Sequence, residues 1–66
     1  MPLSERERAI LRQLMRGTAD RQIARDLDIT EAAVKAHLTR LFQKFGVENR
    51  SQAIAWARDN GALEGC

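Results

Sequence analysis

Sixty-six residues, 44% hydrophobic and 30% charged with a net charge of +2, make one small globular domain, too short to enclose a deep catalytic pocket and still keep a core. The mild positive balance permits a nucleic-acid partner without requiring one, so the placement of the charges has to decide. A single cysteine, Cys66, allows no internal disulfide and suggests no metal site, which points to a reducing cytoplasm, and no stretch has the apolar length of a membrane span or the pattern of a signal peptide.

The turn residues divide the chain into four predicted helices and no strand. Ser4 followed by Glu7 has the spacing of a capping box, in which each side chain takes up the other residue's amide, so a first helix is expected over about 5–16. It would bury Ile10, Leu11, Leu14 and Met15 and stop at Gly17, a residue suited to the left-handed position after a helix. A second, short helix over 20–27 turns Ile23, Ala24 and Leu27 inward, and its cap is the weakest feature, since Thr18 can cap and Ala19 cannot. Asp28-Ile29-Thr30 is all that separates it from the third helix, 31–45: Asp28 tolerates the left-handed turn, Ile29 packs inward and Thr30 caps. Two helices joined so tightly read as a helix-turn-helix. After Gly46, Asn49 with Gln52 three residues on gives a second box-like start for a fourth helix, 50–60, with Ala53, Ile54 and Ala57 as its core face and Gly61 as its stop. The tail 62–66 lacks periodicity and is expected to fray. The fold class is all-α: one four-helix domain over 1–66.

The third helix carries the most information. At about 100° per residue, Val34, Leu38, Leu41 and Phe45 form one narrow apolar stripe. The opposite side centres on Ala32, Ala36, Thr39 and Gln43, with Lys35 and Arg40 at its edges. Short residues in the middle let a helix backbone approach an anionic surface, and cations at the margin reach phosphates. A helix entering a DNA major groove needs that profile.

The motifs in order are Leu3-Ser4-x-Arg6-Glu7, Gly17, Ile23-Ala24-x-x-Leu27-x-Ile29-Thr30, Val34-Lys35-x-His37, Lys44-x-Gly46-Val47-x-Asn49-Arg50 and Ala53. At these spacings the set resembles the LuxR/FixJ-type (GerE-like) helix-turn-helix, the DNA-binding domain of many bacterial transcription regulators. The resemblance covers Leu3 to about Ala57, more than four-fifths of the chain. It implies sequence-specific binding of double-stranded DNA, with the third helix in the major groove and the second lying across the backbone. Lys35, Ala36 and Thr39 would then lie at base edges, and Arg21, Thr30, Arg40, Gln43 and Lys44 at phosphates. The fourth helix would mediate a homodimer on DNA through Ala53, Trp56, Ala57 and Asn60. RNA polymerase would be a further partner, no small molecule or cofactor would bind, and a receiver or ligand-sensing domain would usually precede this one. Two departures bear on affinity. Ala19-Asp20-Arg21-Gln22 stands where the family commonly has Ser-Asn-Lys-Glu, which removes a capping hydroxyl and sets an anion near the expected phosphates. Ala33 replaces a usual Thr. Affinity per protomer should therefore be modest and more dependent on dimerisation.

Other readings compete at several positions. The cationic side of the third helix could dock an acidic protein groove instead of DNA, making the domain a small interaction module, but its alanine-rich centre lacks large apolar anchors. A promoter-recognition domain of sigma-factor type shares the helix-turn-helix and would differ by binding core polymerase. His37 sits at the edge of the apolar stripe as a boundary histidine. No nucleophile–base pair accompanies it or Ser4, Ser51 and Cys66, so no enzyme is expected. Glu7 either pairs with Arg50 or serves its own cap while Arg50 is solvated. Trp56 either finishes the core or anchors a two-fold interface. Phe42 and Phe45 are core residues, and the terminal thiol of Cys66, without a neighbouring cation, is inert.

Overall fold

Capping side chains stand ahead of three of the four helices in the computed structural model, which describes residues 3–63. The helices are α1 (Glu5–Met15), α2 (Asp20–Leu27), α3 (Glu31–Phe45) and α4 (Arg50–Asn60), and no strand occurs among the described residues. Ser4 Oγ accepts from the Glu7 amide at 3.1 Å while the Ser4 amide donates to Glu7 Oε1 at 3.0 Å, completing the expected capping box. Thr30 Oγ1 accepts from Ala33 N at 3.0 Å and Asn49 Oδ1 from Gln52 N at 2.9 Å. The Gln52 side chain reaches back to the Glu48 amide rather than to Asn49. The cap of α2 is Ala19, which offers no side-chain oxygen. Thr18 stands one residue before the cap position, and its amide closes the end of α1 on Gln13 O.

All four helices stop in the same way. A left-handed residue (Gly17, Asp28, Gly46 or Gly61) reverses the chain, and the next amide donates to the carbonyl five residues back. At Gly46, φ is +70°, and an added Cβ would meet no atom within 4 Å. The turn therefore requires glycine for its backbone conformation and not for space. Asp28, at φ 56°, is the non-glycine member of the set. Its following residue, Ile29, and the corresponding Val47 and Ala62 pack half-buried against the core. This closing bond is why Ala62 and Leu63, expected to fray, instead lie against the core: Ala62 N donates to Ala57 O at 3.0 Å and carries the chain back over α4. The rest of the expected tail, including Cys66, lies outside the described residues. At the other boundary, α1 ends at Met15, one residue before expectation, because Arg16 already forms the cap that leads into Gly17.

α3 packs against each of the other three helices. Its stripe Val34, Leu38, Leu41 and Phe45 enters a core completed by Ile10, Leu11 and Leu14 of α1, Ile23 and Ala24 of α2, and Ala53 and Ala57 of α4. Met15, Leu27 and Ile54, expected inward, are half-buried at its rim. Phe42 is likewise half-buried, and Phe45 stacks on Trp56 with ring centroids 4.1 Å apart and planes 12° from parallel. Stacking of this kind adds to the area buried.

Among the described residues, the Lys44–Glu7 and Arg50–Asp20 ion pairs tie helices that are distant in sequence. Lys44 Nζ, on the last turn of α3, lies 2.6 Å and 2.8 Å from the two carboxylate oxygens of Glu7 on the first turn of α1. Arg50, the first residue of α4, lies 2.6 Å from Asp20 at the start of α2. Of the two readings offered for Glu7 and Arg50, the pair does not form, and Arg50 is not simply solvated either. Glu7 serves its own cap and takes Lys44 as its cation, because α1 packs alongside α3. Glu7 is itself buried, at 8% exposure, so its carboxylate is enclosed by the two partners that hold it.

Lys44, and after it the Ser4 amide, hold the Glu7 carboxyl below its ordinary value of about 4.5. A carboxylate whose pKa is depressed by folding stabilises the folded state above its unfolded pKa, and that contribution is lost as pH falls through the depressed value. Urea unfolding followed as a function of pH should show the native domain weakening below about pH 4.5, with a flatter acid limb in Glu7→Gln. Identical acid limbs in the two proteins would remove Glu7 from this role. A second test concerns α4. Ala53→Leu should cost about 1–3 kcal/mol through overpacking, whereas Ala55→Leu on the exposed side should stay within about 0.5 kcal/mol. Equal losses in chemical denaturation would contradict the placement of Ala53 in the core.

Candidate nucleic-acid interface

With its apolar stripe inserted in the core, α3 has one side left for a partner. Glu31, Ala32, Lys35, Ala36, Thr39, Arg40, Gln43 and Lys44 are exposed, and His37 is half-buried at the edge. The expected base-contacting residues Lys35, Ala36 and Thr39 thus share one open surface with Arg40 and Gln43. Ala36 and Ala32 keep that surface low, so the helix axis can approach a flat or grooved anion closely. Thr39 Oγ1 donates back to the Lys35 carbonyl at 3.0 Å, a bond that helical threonines often make.

The expected phosphate-contacting residues divide into two groups. Thr30, Arg21, Arg40 and Gln43 are exposed on α2, on α3 or at the turn between them. Lys44 is exposed too, but its ammonium is bonded to both oxygens of Glu7, so its charge is neutralised within the fold. The anion that departs from the family pattern, Asp20, is neutralised in turn by Arg50, and its side chain is only 16% exposed. Ala33, the other departure, is half-buried and gives its amide to Thr30. Arg25 was not singled out from the sequence, yet it is exposed one turn after Arg21 on the same side of α2. Their four-residue spacing was the available signal. On the other flank of α2, Asp26 accepts from Gln13 of α1 at 3.0 Å and from Gln22 at 2.8 Å, which fixes α2 against α1.

Of the four residues expected at a dimer face, two lie in the core. Ala53 is fully buried and Ala57 is 2% exposed, so both belong to the core of the monomer and are closed to a second chain. Their side of α4 is the one that packs on α3 and α1. Trp56 is half-buried with one face on Phe45. Asn60 is exposed and donates to the Trp56 carbonyl at 2.8 Å. The outward side of α4 is formed by Ser51, Ala55, Arg58 and Asp59.

Among the described residues, no cluster of His, Cys, Asp or Glu has the arrangement of a metal site, and no helix is long and apolar enough to cross a membrane. The geometry presents a rigid, partly cationic helix face with hydrogen-bonding groups at its centre.

The family model of bacterial regulatory proteins of the luxR family, GerE, matches residues 1–57. Over 58 residues, 88% of this chain, the sequence is 50% identical to the probable csgAB operon transcriptional regulatory protein of Salmonella typhimurium. Over 54 residues, 82% of the chain, it is 41% identical to the nitrate/nitrite response regulator protein NarL of Escherichia coli. The chain spans 27% and 25% of the length of these two relatives. Among solved structures, the response regulator ChrA of a heme-sensing two-component system superposes with a TM-score of 0.86 at 47% identity, over 91% of this chain and 30% of that one. The transcription factor GerE superposes with a TM-score of 0.83 at 39% identity, over 89% of this chain and 88% of that one. Motif order, helix boundaries and superposition agree: this chain belongs to the LuxR family of bacterial transcription regulators and carries its GerE-type helix-turn-helix domain.

Proposed function

We propose that the domain binds double-stranded DNA sequence-specifically, with α3 in the major groove, as the DNA-reading part of a bacterial transcription regulator. The observation that carries this reading is the two-sidedness of α3: one stripe fully in the core, and an opposite side that is exposed, low and bordered by cations. Lys35, Ala36 and Thr39 meet base edges, while Arg21, Arg25, Thr30, Arg40 and Gln43 hold the backbone. Ala36 allows close approach or touches a thymine methyl. Lys44 acts through Glu7 as a positioning residue that fixes the end of α3 against α1.

Two copies meet on DNA through the outward side of α4, with Asn60 and the open part of Trp56 joined by Ala55, Arg58 and Asp59. Protein docking through the face of α3 is the weaker reading, because Ala32 and Ala36 are the apolar residues exposed there and neither supplies a hot spot.

Fluorescence-anisotropy titration of random-sequence duplex DNA at several salt concentrations tests this assignment. Arg40→Gln should reduce the slope of log K against log salt by about 0.9, the loss of one phosphate contact. Lys44→Gln should leave that slope unchanged while lowering stability. A reduced slope in Lys44→Gln would return Lys44 to the DNA contacts. No binding by the native domain at low salt and about 100 μM would sink the DNA reading, since ordinary non-specific association is tighter than that.

A further inference from the structure

The hydroxyl of Thr39 has one proton and two lone pairs. Its proton is engaged by the Lys35 carbonyl at 3.0 Å, within the helix, so what the exposed oxygen offers outward is acceptor capacity. Lys35, one turn earlier on the same face, is a donor without acceptor capacity. Ala32 and Ala36 beside them contribute no side-chain hydrogen bond. Lys35 and Thr39 are therefore two groups of opposite hydrogen-bonding sense on one face, separated by about 6 Å along the axis.

The four base pairs differ in the major groove in just this respect. Guanine shows two acceptors, N7 and O6, thymine shows O4 and a methyl group, and hydrogen-bond donors come from the exocyclic amino groups of cytosine N4 and adenine N6. We propose that Thr39 is a specificity-determining residue that reads an exocyclic amino group, accepting its N–H, and that it discriminates against guanine and thymine at the base it faces. The back-bond to Lys35 sets this polarity: a freely rotating hydroxyl could donate to guanine as readily as it accepts from cytosine, whereas one held on the Lys35 carbonyl turns its lone pairs outward. Lys35 selects the opposite class, the acceptor-bearing guanine edge. The proposal rests on α3 being the DNA-reading helix.

The test is selection of bound duplexes from a randomised library with the native domain, Thr39→Val and Thr39→Ser. Thr39→Val deletes the hydroxyl at constant shape and Thr39→Ser keeps it. A thermal melt of each variant checks that the exposed substitution leaves the fold intact. The position read by Thr39 is the one whose preference relaxes in Thr39→Val and persists in Thr39→Ser, and the native domain should favour cytosine or adenine there. In the selected duplex, replacing that adenine by purine, or that cytosine by 2-pyrimidinone, removes the amino group alone. This should weaken native binding about two- to tenfold, one neutral hydrogen bond, and leave Thr39→Val indifferent. Whichever of the two replacements weakens binding names the base. A preference for guanine or thymine at that position, or no position that relaxes in Thr39→Val, overturns the proposal while the DNA reading stands. A library that yields no enrichment, from a domain that shows no salt-dependent binding to random duplex, overturns both.

Discussion

The burial of the α3 stripe, Val34, Leu38, Leu41 and Phe45, is the constraint on which the other features of this domain depend. A 66-residue chain has one core to build, and here three helices build it around a single central helix. Inserting that stripe fixes the rotation of α3 about its axis. Because the residues opposite it are short or polar, the same rotation determines which groups face outward. In the DNA reading proposed above, stability and recognition therefore share one helix, divided by face. A substitution on the stripe would damage both, while a substitution on the outward side leaves the core untouched.

Rotation alone leaves the helix free to slide and tilt, and the polar contacts at its ends limit that freedom. At its beginning, Thr30 caps α3, and the short turn through Asp28 ties it to α2. At its end, Lys44 is held by a carboxylate that is itself part of the cap of α1. Such a pair is worth more as a geometric constraint than as energy, since desolvation offsets much of its attraction. In the DNA reading proposed above, its consequence is that a cation on the DNA-reading helix is engaged within the fold. The Asp20–Arg50 pair has a parallel effect on α2, covering an anion that would otherwise repel a phosphate. The departure at Asp20 is thus compensated by a side chain from another helix, while the lost cap at Ala19 is not.

Helix limits, caps and the inward stripes were legible in the sequence because they depend on residues within one or two turns of each other: Ser4 with Glu7, Thr30 with Ala33, Asn49 with Gln52, and the left-handed residues 17, 28, 46 and 61. What the sequence hid was pairing across long separations. Lys44 and Glu7 are 37 residues apart and Arg50 and Asp20 are 30 apart, and several cations were available to each acid. Periodicity also underdetermines a small helix. Ala53 and Ala57 suit either a core or a contact between copies, and packing against α3 and α1 decides for the core. Fraying after Gly61 was expected from lost periodicity, a signal that does not register the closing hydrogen bond by which Ala62 and Leu63 are brought back onto the domain.

The claim that the outward side of α3 is the DNA surface is tested most directly by following backbone amide resonances of the isotope-labelled domain as duplex DNA is added at low salt. The account predicts shifts concentrated between residues 32 and 43 and around Arg21 and Arg25, with little change at Glu5, Arg12 and Arg16 on the outer side of α1. Shifts centred on α1 or α4, with residues 32 to 43 unperturbed, would contradict it.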